Sequence, residues 1–228
     1  MDKKTIIPIT TVILVLTIAC RQNGPAEASR PPQAVSPPAV SPQAVSIESA
    51  QVTQIDSPAL KQVIESAIAQ TKQTVGYDPA YVRIDYPGGD VPINTGVCSD
   101  VVVRSLRRAG VDLQKEVHED MKRNFSAYPN IWGLARPDPN IDHRRVPNLM
   151  TYFKRMGKSL DISSEAKDYL PGDVIAWRLD NGLLHIGIVS NVRAGNTERH
   201  AVVHNIGAGA RLEDVLFAWR IIGHYRYF

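Results

Sequence analysis

Cys98 stands directly ahead of a helical pattern, in Thr95-Gly96-Val97-Cys98-Ser99-Asp100. A cysteine attacks a carbonyl carbon as its thiolate, and the free N–H groups and positive dipole end of a helix N-terminus favour that anion. The other cysteine, Cys20, ends an N-terminal apolar run. With that run read as a leader, Cys98 has no disulfide partner. A lone thiol in an exported chain is open to oxidation, so two readings stand: a catalytic thiolate, or a small buried hydrophobe. The first needs an imidazole base within reach. His185 is the best candidate, since Leu184, Ile186 and Ile188 alternate with it and put it on the other face of an apolar strand. Gly187 beside it leaves room for a neighbour or a substrate to approach.

The elements that must position this pair can be read from periodicity and breakers. Ser57-Pro58 opens a helix with a cap residue and a proline at the first position, and Leu60, Val63, Ile64, Ala67 and Ile68 carry the period before Gly76 stops it. Residues 77–95 read as a loop. Val101, Val102, Ser105, Leu106 and Ala109 give the face of the helix that Cys98 begins and Gly110 closes. Leu113, Val117 and Met121 continue in a second, charged helix, Pro137, Pro139 and Pro147 make the middle irregular, and Leu149, Tyr152, Phe153 and Met156 mark a short helix ending at Gly157. The period then changes to that of strands. Pro171-Gly172-Asp173 is a turn, 174–177 a strand, Asn181-Gly182 a hairpin turn, 183–190 the returning strand, 200–204 a third and 222–228 a fourth. Helices first and an antiparallel sheet afterwards predict an α+β fold.

Ahead of this domain lie two segments of different composition. Asp2-Lys3-Lys4 is a short charged lead, and 5–19 is an uncharged, mostly apolar run, too short to span a bilayer but of the length of a signal-peptide core. It ends in Leu16-Thr17-Ile18-Ala19-Cys20, which resembles a bacterial lipobox. That resemblance implies a lipid on Cys20, an exported protein in the periplasm or cell envelope, and a membrane anchor; cleavage without lipid and an uncleaved anchor are the alternatives, because Thr17 stands where Leu is usual. Arg21 after the cysteine, by resemblance to the sorting rule of two-membrane cells, implies the outer membrane there. Residues 21–56 hold three imperfect copies of a Pro-Ala-Val-Ser unit, lack aromatic residues and read as an extended tether, with a reach on the order of 100 Å at about 3.1 Å per residue. Residues 57–228 then form one domain, long enough to bury a proper core.

The charge balance, 26 basic against 23 acidic residues, and the absence of a basic stripe interleaved with aromatics speak against a nucleic-acid partner. Arg104-Arg107-Arg108 and His143-Arg144-Arg145 are local clusters, expected on solvated faces, with contact to a negatively charged cell-wall substrate as the alternative. His118, His143, His185, His200, His204 and His224 lack metal-ligand spacing beyond His200 and His204 on one strand, so neither metal nor cofactor is expected. Trp219, Tyr225 and Tyr227 are expected in the core.

In order along the chain, Cys98-Ser99-Asp100 at a helix start, Pro171-Gly172-Asp173-Val174-Ile175-Ala176-Trp177, His185-Ile186-Gly187-Ile188-Val189 and Val202-Val203-His204-Asn205 resemble the papain-like, NlpC-type cell-wall amidohydrolases. More narrowly, about 60–228 resembles a bacterial family known only as domain of unknown function 1287. The resemblance implies a papain-like fold with N-terminal helices packed on a C-terminal antiparallel sheet. It implies Cys98 as nucleophile, His185 as general base and then acid, and His204 as the orienting third residue. The interval between the two histidines is longer than usual, with 193–199 as an inserted loop, so His200 and Asn205 remain alternatives. Asp100 stands where the amidohydrolases commonly have Gly, and its charge could oppose thiolate formation. The oxyanion donors would be the Cys98 N–H and a tyrosine of the preceding loop, Tyr77, Tyr81 or Tyr86.

The reading is an extracytoplasmic cysteine peptidase or amidase that cleaves amide bonds in peptidoglycan peptides through an acyl-enzyme. Two alternatives stand beside it: an inactive papain-fold module that binds an envelope partner, and a thiol acyltransferase.

Overall fold

Ser57 accepts the Leu60 N–H at the head of α1 (Pro58–Gln73), whose Val63, Ile64 and Ala67 face inward. The computed structural model describes residues 43–47 and 50–228. The expected leader, Cys20 and the tether as far as residue 42 lie outside the described residues. No described helix is long and apolar enough to cross a membrane.

Three further helices follow: α2 (Cys98–Arg108), α3 (Leu113–Asn124), capped by Asp112 on the Gln114 N–H, and α4 (Val146–Arg155). Each buries the face its sequence period marks. Val101, Val102 and Leu106 of α2, Leu113 and Val117 of α3 and Leu149 and Phe153 of α4 are all buried in one core, at roughly 1.5–3 kcal/mol per large apolar side chain. Gln70 ties α1 to α2 by donating to Val101 O at 3.2 Å and Ser105 Oγ at 3.1 Å.

Strands β1 (Val174–Arg178), β2 (Leu184–Arg193), β3 (His200–Asn205), β4 (Ala210–Glu213) and β5 (Arg220–Tyr225) form one antiparallel sheet in the order β4-β3-β2-β1-β5. The helix-then-sheet order and the α+β class are as expected. The sequence missed β4. Alternation divides the sheet between two cores: Val174, Ala176, Ile186, Ile188 and Val203 meet the helices, while Ile175, Trp177, Val189 and Val202 pack with Tyr169, Leu216 and Trp219 on the other side. Residues at the end of the expected tether run along this sheet: Val45 N–H donates to Leu212 O at 3.0 Å, and Thr53 N–H to Asn191 O at 2.8 Å.

The two basic clusters are solvated only in part, which corrects that expectation: Arg108 is exposed and Arg107 and Arg145 are half-buried, but the other three members are buried. Arg104 is buried, donating to Asp90 at 2.8 Å and to the carbonyls of Val91, Pro92 and Thr95, so it holds the loop that leads to Cys98. His143 and Arg144 are buried as well. A buried guanidinium needs several acceptors, and a loop of free carbonyls supplies them.

Candidate active site

Cys98 is the first helical residue of α2, preceded by the extended cap residue Val97. Asp100 reaches back from the same turn and accepts the Val97 N–H at 2.7 Å. Gly96 has φ +156°, and a Cβ there would lie 3.0 Å from Asp100 Oδ2, so glycine is needed where the loop enters the helix. Asn205, at the end of β3, donates to Gly96 O at 3.0 Å and Gly76 O at 3.1 Å. The helix N-terminus is thereby pinned to the sheet. The backbone N–H of Ile186, on β2, lies near enough to the Cys98 sulfur to draw its pKa down. Cys98 itself belongs to the core between the helices and the sheet, and Ile186 is the β2 neighbour of His185.

On the face away from the helices, four side chains form a row across four adjacent strands: Trp177 on β1, His185 on β2, His204 on β3 and Glu213 on β4. His185 Nε2 lies 2.8 Å from His204 Nδ1, and His204 Nε2 lies 2.9 Å from Glu213 Oε2. Trp177 stacks on His185 with centroids 5.7 Å apart, and Trp219 stands edge-on to both rings at 5.8 and 6.1 Å. Gly187 makes room for the row, because a Cβ there would sit 2.9 Å from Val203 O and 3.1 Å from His204 Cβ. The neighbour that approaches it is β3 itself.

Burial decides the charge state. Cys98 is 5 % exposed and His185 3 %. Removal from water pushes the Cys98 thiol up to about 12, against the pull of the Ile186, Ser99 and Cys98 N–H groups and with a smaller push from Asp100. Burial first, and then the neighbouring His204, hold His185 well below the usual histidine range. The resting pair is therefore neutral thiol and neutral imidazole, the reverse of the thiolate expected from helix position alone. Iodoacetamide labelling of the native chain should rise only at alkaline pH, with its midpoint above the usual thiol value of about 8.5; a midpoint below it would restore the ion pair. The same shift makes folding stability fall as pH rises from the ordinary thiol pKa toward 12, where the unfolded chain ionises first.

The third-residue alternatives separate in space. His204 touches His185, whereas His200 bonds to Thr53 Oγ1 at 3.0 Å and Asn205 holds the loop ahead of Cys98. Of the three tyrosines, Tyr81 bonds to Asp138 and Tyr86 to Glu119. Tyr77 is the one close enough to feel Cys98: burial first, then the charges of Cys98 and Asp100, raise its pKa and keep its O–H a donor. Asp100 is matched by a buried guanidinium, Arg144, at 2.9 and 3.0 Å. Trp219, expected simply in the core, is buried against both site histidines. Glu213 was missed; the alternation of Ala210 and Leu212 with Arg211 and Glu213 after the turn at Gly207-Ala208-Gly209 is the signal that marks its strand.

With this geometry in place, comparison with known proteins adds the following. The chain is 57 % identical over 179 residues to the uncharacterized protein YijF of Escherichia coli K12, covering 78 % of this chain and 86 % of that protein. A solved structure from Staphylococcus aureus, described as similar to a lipoprotein of the NLP/P60 family, superposes with a TM-score of 0.38 at 15 % identity, over 77 % of this chain and 43 % of that one. The chain thus spans less than half the length of that protein. A family model matches residues 64–227, and the chain belongs to that family, described as domain of unknown function DUF1287.

Proposed function

We propose that this protein is an exported cysteine amidohydrolase that cleaves amide bonds of peptidoglycan peptides through a thioester at Cys98. One observation carries the reading: a buried His185, backed in line by a second histidine and a carboxylate, stands on the strand against which the helix led by Cys98 packs. A structural thiol needs no such row.

The steps follow from the neutral resting pair. As Sγ attacks the carbonyl carbon, its proton passes to His185 Nδ1, so no free thiolate has to exist beforehand. The developing oxyanion takes hydrogen bonds from the Cys98 N–H, one of the unsatisfied donors of the first helical turn, and from the Tyr77 O–H. When the C–N bond breaks, His185 returns the proton to the leaving amine. Water then attacks the thioester, gives one proton to His185, and the C–S bond breaks to regenerate the thiol. The direct test is digestion of purified peptidoglycan by the full chain, with mass analysis of the fragments for newly freed amino and carboxyl groups.

The closed setting of Cys98 and His185 favours a second reading, an envelope-binding module without turnover. In either case the anchor is separately testable. Cys20→Ala should release the protein from membranes or block its processing, and the mature N-terminus of the parent should carry diacylglycerol on Cys20 by mass. An unmodified Cys20 within an intact N-terminus would remove the lipid anchor.

A further inference from the structure

We infer that Glu213 is a positioning residue of this centre, fixing the proton on His204 and, through His204, the proton on His185. The inference rests on the reading of Cys98 as nucleophile and His185 as base, and it goes beyond the three residues that the resemblance implies.

An ionised carboxylate only accepts hydrogen bonds. With Glu213 Oε2 at 2.9 Å, His204 must carry its proton on Nε2. In neutral His204 the other nitrogen, Nδ1, is then an acceptor, and the group facing it at 2.8 Å is His185 Nε2, which must donate. That leaves the lone pair of His185 on Nδ1, free to take the thiol proton. The opposite arrangement sets the lone pair of His204 Nε2 against the carboxylate, both acceptors, and places a proton on His185 Nδ1, where it blocks the base. One carboxylate, two rings away, thereby selects the useful tautomer of both histidines.

Glu213 has no other evident task. It is 4 % exposed, and among the described residues its ion-pair partner is His204, with no Lys or Arg beside it. A buried carboxylate whose ion-pair partner is an imidazole is a poor way to stabilise a sheet. Its strand is held for the purpose: β4 has four residues, paired on one side with β3 and bridged on the other by Ala44, directly opposite Glu213.

Two measurements test this on the full chain. Long-range proton–nitrogen correlation of nitrogen-15-labelled histidine should show His185 and His204 both as Nε2–H tautomers in the parent. Glu213→Gln, nearly the same shape, can turn its amide to donate to His204 Nε2, so both protons should move to Nδ1 in part or all of the population. Peptide release should then fall on the order of 10²- to 10⁴-fold, as when a triad carboxylate is replaced by its amide, with the thermal unfolding midpoint unchanged. A Nδ1–H proton on His185 in the parent overturns the inference without any variant being needed. So does a Glu213→Gln protein with the parental tautomers and rate. If the parent shows both expected tautomers, and Glu213→Gln moves them, yet the parent releases no wall peptide, the amidohydrolase reading fails while the positioning role stands.

Discussion

Cys98→Ala should end the release of fragments from peptidoglycan, lowering the rate by at least about 10⁴-fold, because among the described residues no other side chain is placed to form the acyl intermediate. The substitution removes one sulfur from a packed site and leaves the cap, Asp100 and Asn205 in place, so the circular dichroism spectrum should match the parent. His185→Ala should be nearly as severe, since the same ring takes the thiol proton and returns it to the leaving amine. His204→Ala should be about 10²-fold milder than Cys98→Ala, the gap typical between an orienting residue and a nucleophile within one catalytic unit. The ordering is informative. A structural thiol in a binding module predicts no dependence of wall binding on Cys98 and no cleavage by the parent. An acyltransferase predicts cleavage that yields an amide with an added amine, visible as a mass increase in place of hydrolysis. Unchanged cleavage by Cys98→Ala overturns the thiol mechanism.

What could be read in advance depended on how local the physics was. The start of α1 was legible because Ser57-Pro58 is a cap and a preset turn in consecutive residues, and the end of α2 because Gly110 takes φ +86° just beyond it. The β1–β2 hairpin was legible in Asn181-Gly182 for the same reason. The third site residue was not. Parity puts His200 and His204 on one face, but four residues at about 3.3 Å each set them about 13 Å apart along β3, and His200 meets Thr53 instead of His185. β4 was missed because its alternation runs over only four residues, too short a stretch to stand out from the turn at Gly207-Ala208-Gly209 before it. The direction of the Cys98 shift was misjudged because the helix dipole is visible in sequence, whereas the depth at which the helix start is buried belongs to the packing of α2 on β2. The cluster at Arg144 misled for a related reason: its acceptors come from distant segments, Asp100 lying 44 residues away.

That pair supports the prediction with the largest effect on stability. Arg144 and Asp100 side chains are 2 % and 3 % exposed, and the guanidinium donates to both carboxylate oxygens and also to Ala80 O at 3.0 Å and Asp78 O at 3.1 Å. Ser99 Oγ–H closes the arrangement by donating to Arg144 O at 2.6 Å. Arg144→Met keeps most of the volume but strands the Asp100 charge inside the protein and frees two loop carbonyls, which should cost about 3–5 kcal/mol. For a domain of this size that corresponds to a fall of roughly 6–20 °C in the unfolding midpoint. Asp100→Asn combined with Arg144→Met should recover part of the loss, because the stranded charge is gone; the double-mutant cycle in urea measures that coupling. An Arg144→Met protein within about 1 kcal/mol of the parent would show that the pair is not stabilising in this sense. The functional consequence follows from position, for Asp100 holds the Val97 N–H and so the first turn that carries Cys98. Arg144→Lys keeps the charge but supplies a single ammonium for four acceptors in fork geometry. It should therefore fall between the parent and Arg144→Met in both unfolding midpoint and rate of peptide release.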